Sequence, residues 1–222
     1  MAKASSFAAT SNTTLHRIPA RGSYDRALAY AILDEGLHCS VGIVSDGRPF
    51  VMPMAYARVE DELILHGASA SRLLKTAGSS LAVCVTVTLL DGLVFARSAF
   101  HHSMNYRSVV VLGQAVEITD PLAKARALDA LVEHVLPGRS RDVRPGNDKE
   151  LAATRVLALP IEEASVKVRA GGPIDDEEDM DLACWAGDVP LALQARAPID
   201  DAQFPPKVPR PAVLDAYSRK RR

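Results

Sequence analysis

The ten residues from Leu81 to Leu90, LAVCVTVTLL, constrain this chain more than any others. They form a nearly continuous apolar, β-branched run, half the length a membrane span needs and patterned for a strand buried on both faces. Tyr106 to Thr119 (YRSVVVLGQAVEIT) repeats the pattern, with Gly113 as a candidate bulge. Shorter runs at His38–Val44 and Phe50–Arg58 flank Ser45-Asp46-Gly47-Arg48, a hairpin signal. Glu60-Asp61-Glu62 turns into a third strand, Leu63–Gly67, and Asp91-Gly92 reads as another turn before Val94–Phe100. Arg155–Leu159 and Ala164–Arg169 complete the strands.

Helical spacing is confined to a few places. Ser23 is the expected cap of a helix from Tyr24 to Glu35, stopped by Gly36. Ser69–Gly78 reads as a short helix with Leu73, Leu74 and Ala77 inward. Asp120 caps a helix over Pro121–Val135, with Pro at its first position, and Asp148–Ala153 is a shorter one. Many short strands with a few helices predict a mainly β fold with α, a closed or split barrel with helices outside. The expected organisation is a mobile polar tail over 1–20, one domain over 21–195 and an extended tail over 196–222. An acidic run, Asp175–Asp181, precedes the single tryptophan, Trp185, and a basic stretch, Arg219–Arg222, ends the chain.

A formal net charge of −1 supplies no basic field for nucleic acid or anionic membrane. Three widely spaced cysteines, Cys39, Cys84 and Cys184, outside any C-x-x-C spacing, suit free thiols in a reducing cytosol better than disulfides or zinc. The N-terminus has no apolar run of secretory type, and no stretch approaches the roughly 20 residues that cross a bilayer. The expectation is a cytoplasmic protein without nucleic-acid or membrane partners.

Three stretches could carry chemistry. In Leu65-His66-Gly67-Ala68-Ser69-Ala70-Ser71-Arg72-Leu73-Leu74-Lys75 a strand meets a small-residue loop and a helix start, where amides, hydroxyls, Arg72 and Lys75 suit a phosphate. The plainer account is an ordinary cap with solvated basic side chains. His101-His102-Ser103-Met104-Asn105-Tyr106-Arg107-Ser108 is a polar entrance to a buried strand, suited to a polar ligand pocket or to internal hydrogen bonds. Adjacent histidines on a strand face opposite ways and no acid or cysteine stands close by in sequence, so no metal site is expected. Lys167 and Arg169 share one strand face, and Trp185 either stacks on a planar ring or fills core.

Taken in order, these stretches resemble the pyridoxamine 5'-phosphate oxidase-like flavin-binding superfamily, in its flavin-nucleotide-binding and nitroimidazole-reductase-like branch. The matching text begins at Arg21-Gly22-Ser23-Tyr24-Asp25 and Gly47-Arg48-Pro49, and runs through Val51–Tyr56, the His66–Lys75 block, Leu89–Val94, His101–Ser108 and Lys167-Val168-Arg169 to Trp185-Ala186-Gly187. The resemblance implies an antiparallel, Greek-key-like split β-barrel and a homodimer with FMN at the subunit interface. It implies that the strand holding Met52, Pro53, Met54, Ala55 and Tyr56 offers backbone to the flavin ring, and that His66 and Gly67 lie beside it. Ser71 and Arg72, with Lys75, match the phosphate clamp. Arg107 and Ser108 match the strand reaching the cofactor from the partner subunit, His101 and Ser103 before them are further candidates for cofactor binding, and Trp185 corresponds to the C-terminal tryptophan that covers FMN. The Arg-x-His motif with which true oxidases hold pyridoxal phosphate is not recognisable, which argues against oxidation of a B6 vitamer.

The implied function is FMN binding with oxidoreductase chemistry on an unidentified small molecule. The alternatives are a non-catalytic flavin carrier or sensor, and a haem-binding split barrel with His101 or His102 as axial ligand. No catalytic acid or base is assigned; His66 and His101 are the best candidates for proton exchange.

Overall fold

A computed structural model describes residues 4–69, 80–203, 208–214 and 217. The strands are β1 (Gly22–Ser23), β2 (His38–Ser45), β3 (Arg48–Val59), β4 (Glu62–Ala68), β5 (Ser80–Phe95), β6 (Ser103–Glu117), β7 (Thr154–Pro160), β8 (Glu163–Arg169) and β9 (Gly187–Pro190). The α-helices are α1 (Arg26–Glu35), α2 (Pro121–Val135) and α3 (Asp148–Ala153). The sheet order is β1-β8-β6-β7-β4-β3-β2-β5-β9, and an added β6–β5 pairing closes the middle strands on themselves. Every pairing is antiparallel. This is a split β-barrel with peripheral helices.

Local chemistry explains the joints. Asp46 and Gly47 both have positive φ, 51° and 71°, as a two-residue hairpin turn between β2 and β3 requires. Asp91-Gly92, expected to turn, instead lies inside β5. The register steps from Leu90–Tyr106 to Gly92–Asn105, so Asp91 is the extra residue of a bulge. Gly92 is needed there because a Cβ would stand 3.1 Å from the Val189 carbonyl of β9. Gly113 is in regular register with Val83 and makes no bulge. Asp25, not Ser23, caps α1 by accepting from the Leu28 amide at 2.6 Å. Asp120 caps α2 as its sequence predicts.

Leu63, Leu65, Val85, Val109, Leu157 and Val166 fill the barrel, and α1 closes one end with Ala29, Ile32 and Leu33. α2 lies outside on Ala57, Ile64 and Val156. The N-terminal segment is corrected from mobile tail to packed element. Phe7 is 4% exposed, with the Arg26 guanidinium 4.2 Å over its ring, and the Phe7 amide donates to the Tyr24 carbonyl. One aromatic anchor among small polar residues is a weak sequence signal. At the other end, the Tyr217 hydroxyl donates to the Val135 carbonyl at 2.6 Å. No helix of the described residues is long and apolar enough to cross a membrane.

Candidate functional site

The barrel opens between β3 and β4. Their ladder runs from Val59–Glu62 to Tyr56–Leu65 and stops, although both strands continue. Beyond that point Met52–Ala55 keep pairing with β2, and His66–Ala68 with β7. The two inner edges part, leaving a seam where a planar ligand can meet strand backbone. Met52 and Met54 turn half-buried toward the core, while Pro53 and Ala55 face outward. Tyr56 is core: it is fully buried and its hydroxyl donates to the Leu33 carbonyl at 2.5 Å, so it offers a ligand no side chain. Gly67 is half-buried opposite Arg155. Ser71, Arg72 and Lys75, with the helix expected around them, lie outside the described residues.

His66 sits on the seam edge of β4, opposite Val156. Its Nδ1 is buried and has no partner among the described residues. Burial lowers its pKa below the ordinary 6.5. The folded chain therefore binds this proton less readily than the unfolded chain. The associated stability is complete above pH 6.5 and erodes as the pH falls below it. Thermal melts from about pH 7.5 to about pH 5 should show that loss, and His66→Phe should flatten it. An unchanged pH profile in the variant would exclude His66 as its source.

Beside the seam, the outer face of β2, β3, β5 and β6 carries no charged side chain among the described residues. Ser40 and Gly42 of β2 pair with Pro53 and Val51 of β3 on one side and with Thr86 and Cys84 of β5 on the other. Thr86 and Cys84 in turn face Val110 and Leu112 of β6. No Asp, Glu, Lys or Arg projects from this four-strand face, and Val51 is 69% exposed. A cleft of about 830 Å³ lined by Gly36, His38, Leu89, Leu90, Leu191 and Leu193 opens beside it, His38 being paired with Ala55. Cys39 points into the core, where burial pushes its thiol up to about 12, so it supplies no thiolate.

The expected partner-reaching segment divides. Arg107 and Ser108 are neighbours on β6 and so face opposite ways. Ser108 lies on the bare face opposite Thr88. Arg107 turns to Asp91 and Glu35. Its Nε and Nη2 donate to the Asp91 carboxylate at 2.8 Å each, and its Nη1 and Nη2 to Glu35 at 2.5 and 2.8 Å. A guanidinium held by two carboxylates is a structural cross-brace. Ser103 is half-buried opposite Val94. Arg169 is buried, donating to Asn105 and to the Gly171 and Gly172 carbonyls, while Lys167 reaches the Arg17 carbonyl.

The two histidines also part company. His102 Nδ1 lies 2.9 Å from the Ser98 carbonyl oxygen, which can only accept, so Nδ1 carries the proton. Nε2 is thereby left as the ring nitrogen open to another partner. Its ring stands edge-on to Phe95, 5.8 Å away, and Phe95 is 5.9 Å from the ring of Trp185. Trp185 is 67% exposed and packs over Gly187, where a Cβ would meet the indole at 2.8 Å. His101 turns away toward Asp176.

This architecture coincides with a family match. Residues 25–168 fit the profile described as pyridoxamine 5'-phosphate oxidase. The chain belongs to that family. Among solved structures, it is similar to the flavocytochrome Anf3 from Azotobacter vinelandii. The two are 41% identical over 94% of this chain and 97% of that one, with a TM-score of 0.89. An FAD- and haem-binding protein from Mycobacterium smegmatis is 38% identical over 88% of this chain and 96% of that one, with a TM-score of 0.83. A candidate 5-nitroimidazole antibiotic resistance protein from Bacteroides thetaiotaomicron is 25% identical over 66% of this chain and 86% of that one, with a TM-score of 0.57. No curated protein matches the chain. The family profile ends at Val168, so Trp185 and the acidic run lie beyond it.

Proposed function

We propose that this pyridoxamine 5'-phosphate oxidase family member binds a flavin nucleotide at the interface of a homodimer and serves as a flavin-dependent oxidoreductase. The seam between β3 and β4 carries the reading. It sets backbone of Met52–Ala55 beside His66, at the margin of an uncharged face that a second copy can cover. The fit is with the ring end of a flavin; for the phosphate end, sequence resemblance implies Ser71, Arg72 and Lys75, which lie outside the described residues. Sequence resemblance implies FMN, while likeness to a relative that binds FAD favours the dinucleotide form. When bound, the flavin supplies the electron chemistry. The chain orients it, excludes water on dimerisation and holds a neutral imidazole at His66 for proton exchange. Cytoplasmic location remains part of this reading.

A second cofactor is favoured by one observation. The Ser98 carbonyl holds a proton on His102 Nδ1 and orients the ring beside Phe95 and Trp185, so that Nε2 is the nitrogen that would ligate a haem iron. Two relatives sharing most of this chain's length are a flavocytochrome and an FAD- and haem-binding protein. We therefore favour haem alongside flavin rather than instead of it.

Both readings are tested on freshly purified protein. Denaturation should release one flavin per chain, its mass separating FMN from FAD. Haem loading should give a Soret band that His102→Ala abolishes and His101→Gln keeps. Apoprotein that takes up neither flavin at tens of micromolar would sink the first reading. A Soret band unchanged in His102→Ala would sink the second.

A further inference from the structure

His101 belongs to a separate constellation, with partners that His102 does not share. It ends a short 3₁₀ helix, Ala99–His101, and a second one, Glu177–Asp179, stands opposite with Asp176 as its N-cap. A 3₁₀ helix has three residues per turn, so Asp176 and Asp179 stack on one side of it. His101 Nε2 lies 3.0 Å from an Asp176 carboxylate oxygen. One ligand atom from each of His101, Asp176 and Asp179 falls within 4.8 Å of the others.

The acidic segment is held in place from next door. Asp175 accepts from the Arg97 amide at 2.8 Å and from Arg97 Nη1 at 2.9 Å, and its side chain is 1% exposed. Arg97 is thereby committed to Asp175. Among the described residues, no lysine or arginine pairs with Asp176 or Asp179. Carboxylates alone would make only a solvated acidic surface. Here an imidazole from a distant stretch of chain completes a mixed nitrogen–oxygen set.

We infer that His101, Asp176 and Asp179 form a site for a borderline divalent transition metal such as Zn²⁺. One imidazole and two carboxylates fit that class, whereas Ca²⁺ and Mg²⁺ prefer all-oxygen shells. Bonds of about 2.0–2.1 Å place tetrahedral ligand atoms about 3.4 Å apart, so small side-chain rotations close the set. The ion takes the place of the proton on Nε2 in the His101–Asp176 hydrogen bond, and that proton leaves to solvent. Three protein ligands leave a fourth position open to water at the surface, so the site stays accessible to a small-molecule ligand.

The test uses the full chain, freed of metal with a chelator. Co²⁺ is titrated by its visible d–d absorption, and Zn²⁺ by equilibrium dialysis. One ion per chain is expected, with affinity weakened more than about 100-fold in His101→Gln and in Asp176→Asn. Glu178→Gln removes an equal charge from the same exposed run but no ligand, and should bind like the parent chain. Melting curves of each variant confirm folding. Absence of a Co²⁺ band at millimolar metal overturns the site. So does binding that survives His101→Gln, or that falls as far in Glu178→Gln as in Asp176→Asn, since either result reduces it to charge attraction.

Discussion

Arg107→Met should lower the midpoint of thermal unfolding by about 10 °C or more. The arginine joins Glu35, at the end of α1, to Asp91, in the bulge of β5, and all three side chains are 13–17% exposed. Its removal leaves two largely buried carboxylates facing one another without that cation, a defect worth about 3–5 kcal/mol. The methionine keeps most of the packing volume, so the loss reports charge rather than cavity. Adding Glu35→Gln and Asp91→Asn should recover much of the stability, because a neutral trio carries no uncompensated charge. Were the single variant to melt within about 2 °C of the parent, the cross-brace would be redundant.

Thr86→Arg should turn the proposed dimer into monomer at low micromolar concentration, as read by sedimentation. Thr86 stands at the centre of the uncharged face, between Ser40 of β2 and Val110 of β6. In the proposed dimer this face is covered by the second copy, and burying the new charge there unpaired costs about 2–5 kcal/mol. The dimer dissociation constant should rise by about 100-fold or more. Flavin retention should fall with it, since the proposed seam is covered only in the dimer. Thr86→Val, uncharged and of like shape, should remain dimeric. A parent chain that sediments as a monomer yet keeps flavin would place the whole site within one subunit.

Much of the fold is legible because its signals are local. The hairpin at Asp46-Gly47, the cap at Asp120, the helix over Pro121–Val135 and the apolar runs of β5 and β6 each state their structure within a few residues. Asp91-Gly92 misleads for the same reason. Read alone it is a turn, but strands on both sides hold it straight and only the register shift records the extra residue. Phe7 gives no periodic signal, so its burial is invisible until Arg26 and Tyr30 pack on it. The site was legible in its segments and not in its pairings. Alternation along β6 could have separated Arg107 from Ser108, but nothing local announces that Glu35 and Asp91 claim the guanidinium. Likewise, the acids missing from the neighbourhood of His101 arrive from some 75 positions away.

The pairing of β4 with β7 has a kinetic meaning. β5 and β6 are joined by a short connection and zip over nearly their whole length, from Val94–Ser103 to Ser80–Val116. β4 has only a short local ladder with β3 and must wait for its longer one with β7, which the chain reaches only after both of those strands and α2. Loop closure of that span is entropically unfavourable until its contacts form together. Refolding should then be governed by barrel closure, with the β5–β6 hairpin protected against hydrogen exchange early and the His66–Ala68 end of β4, which pairs only with β7, late.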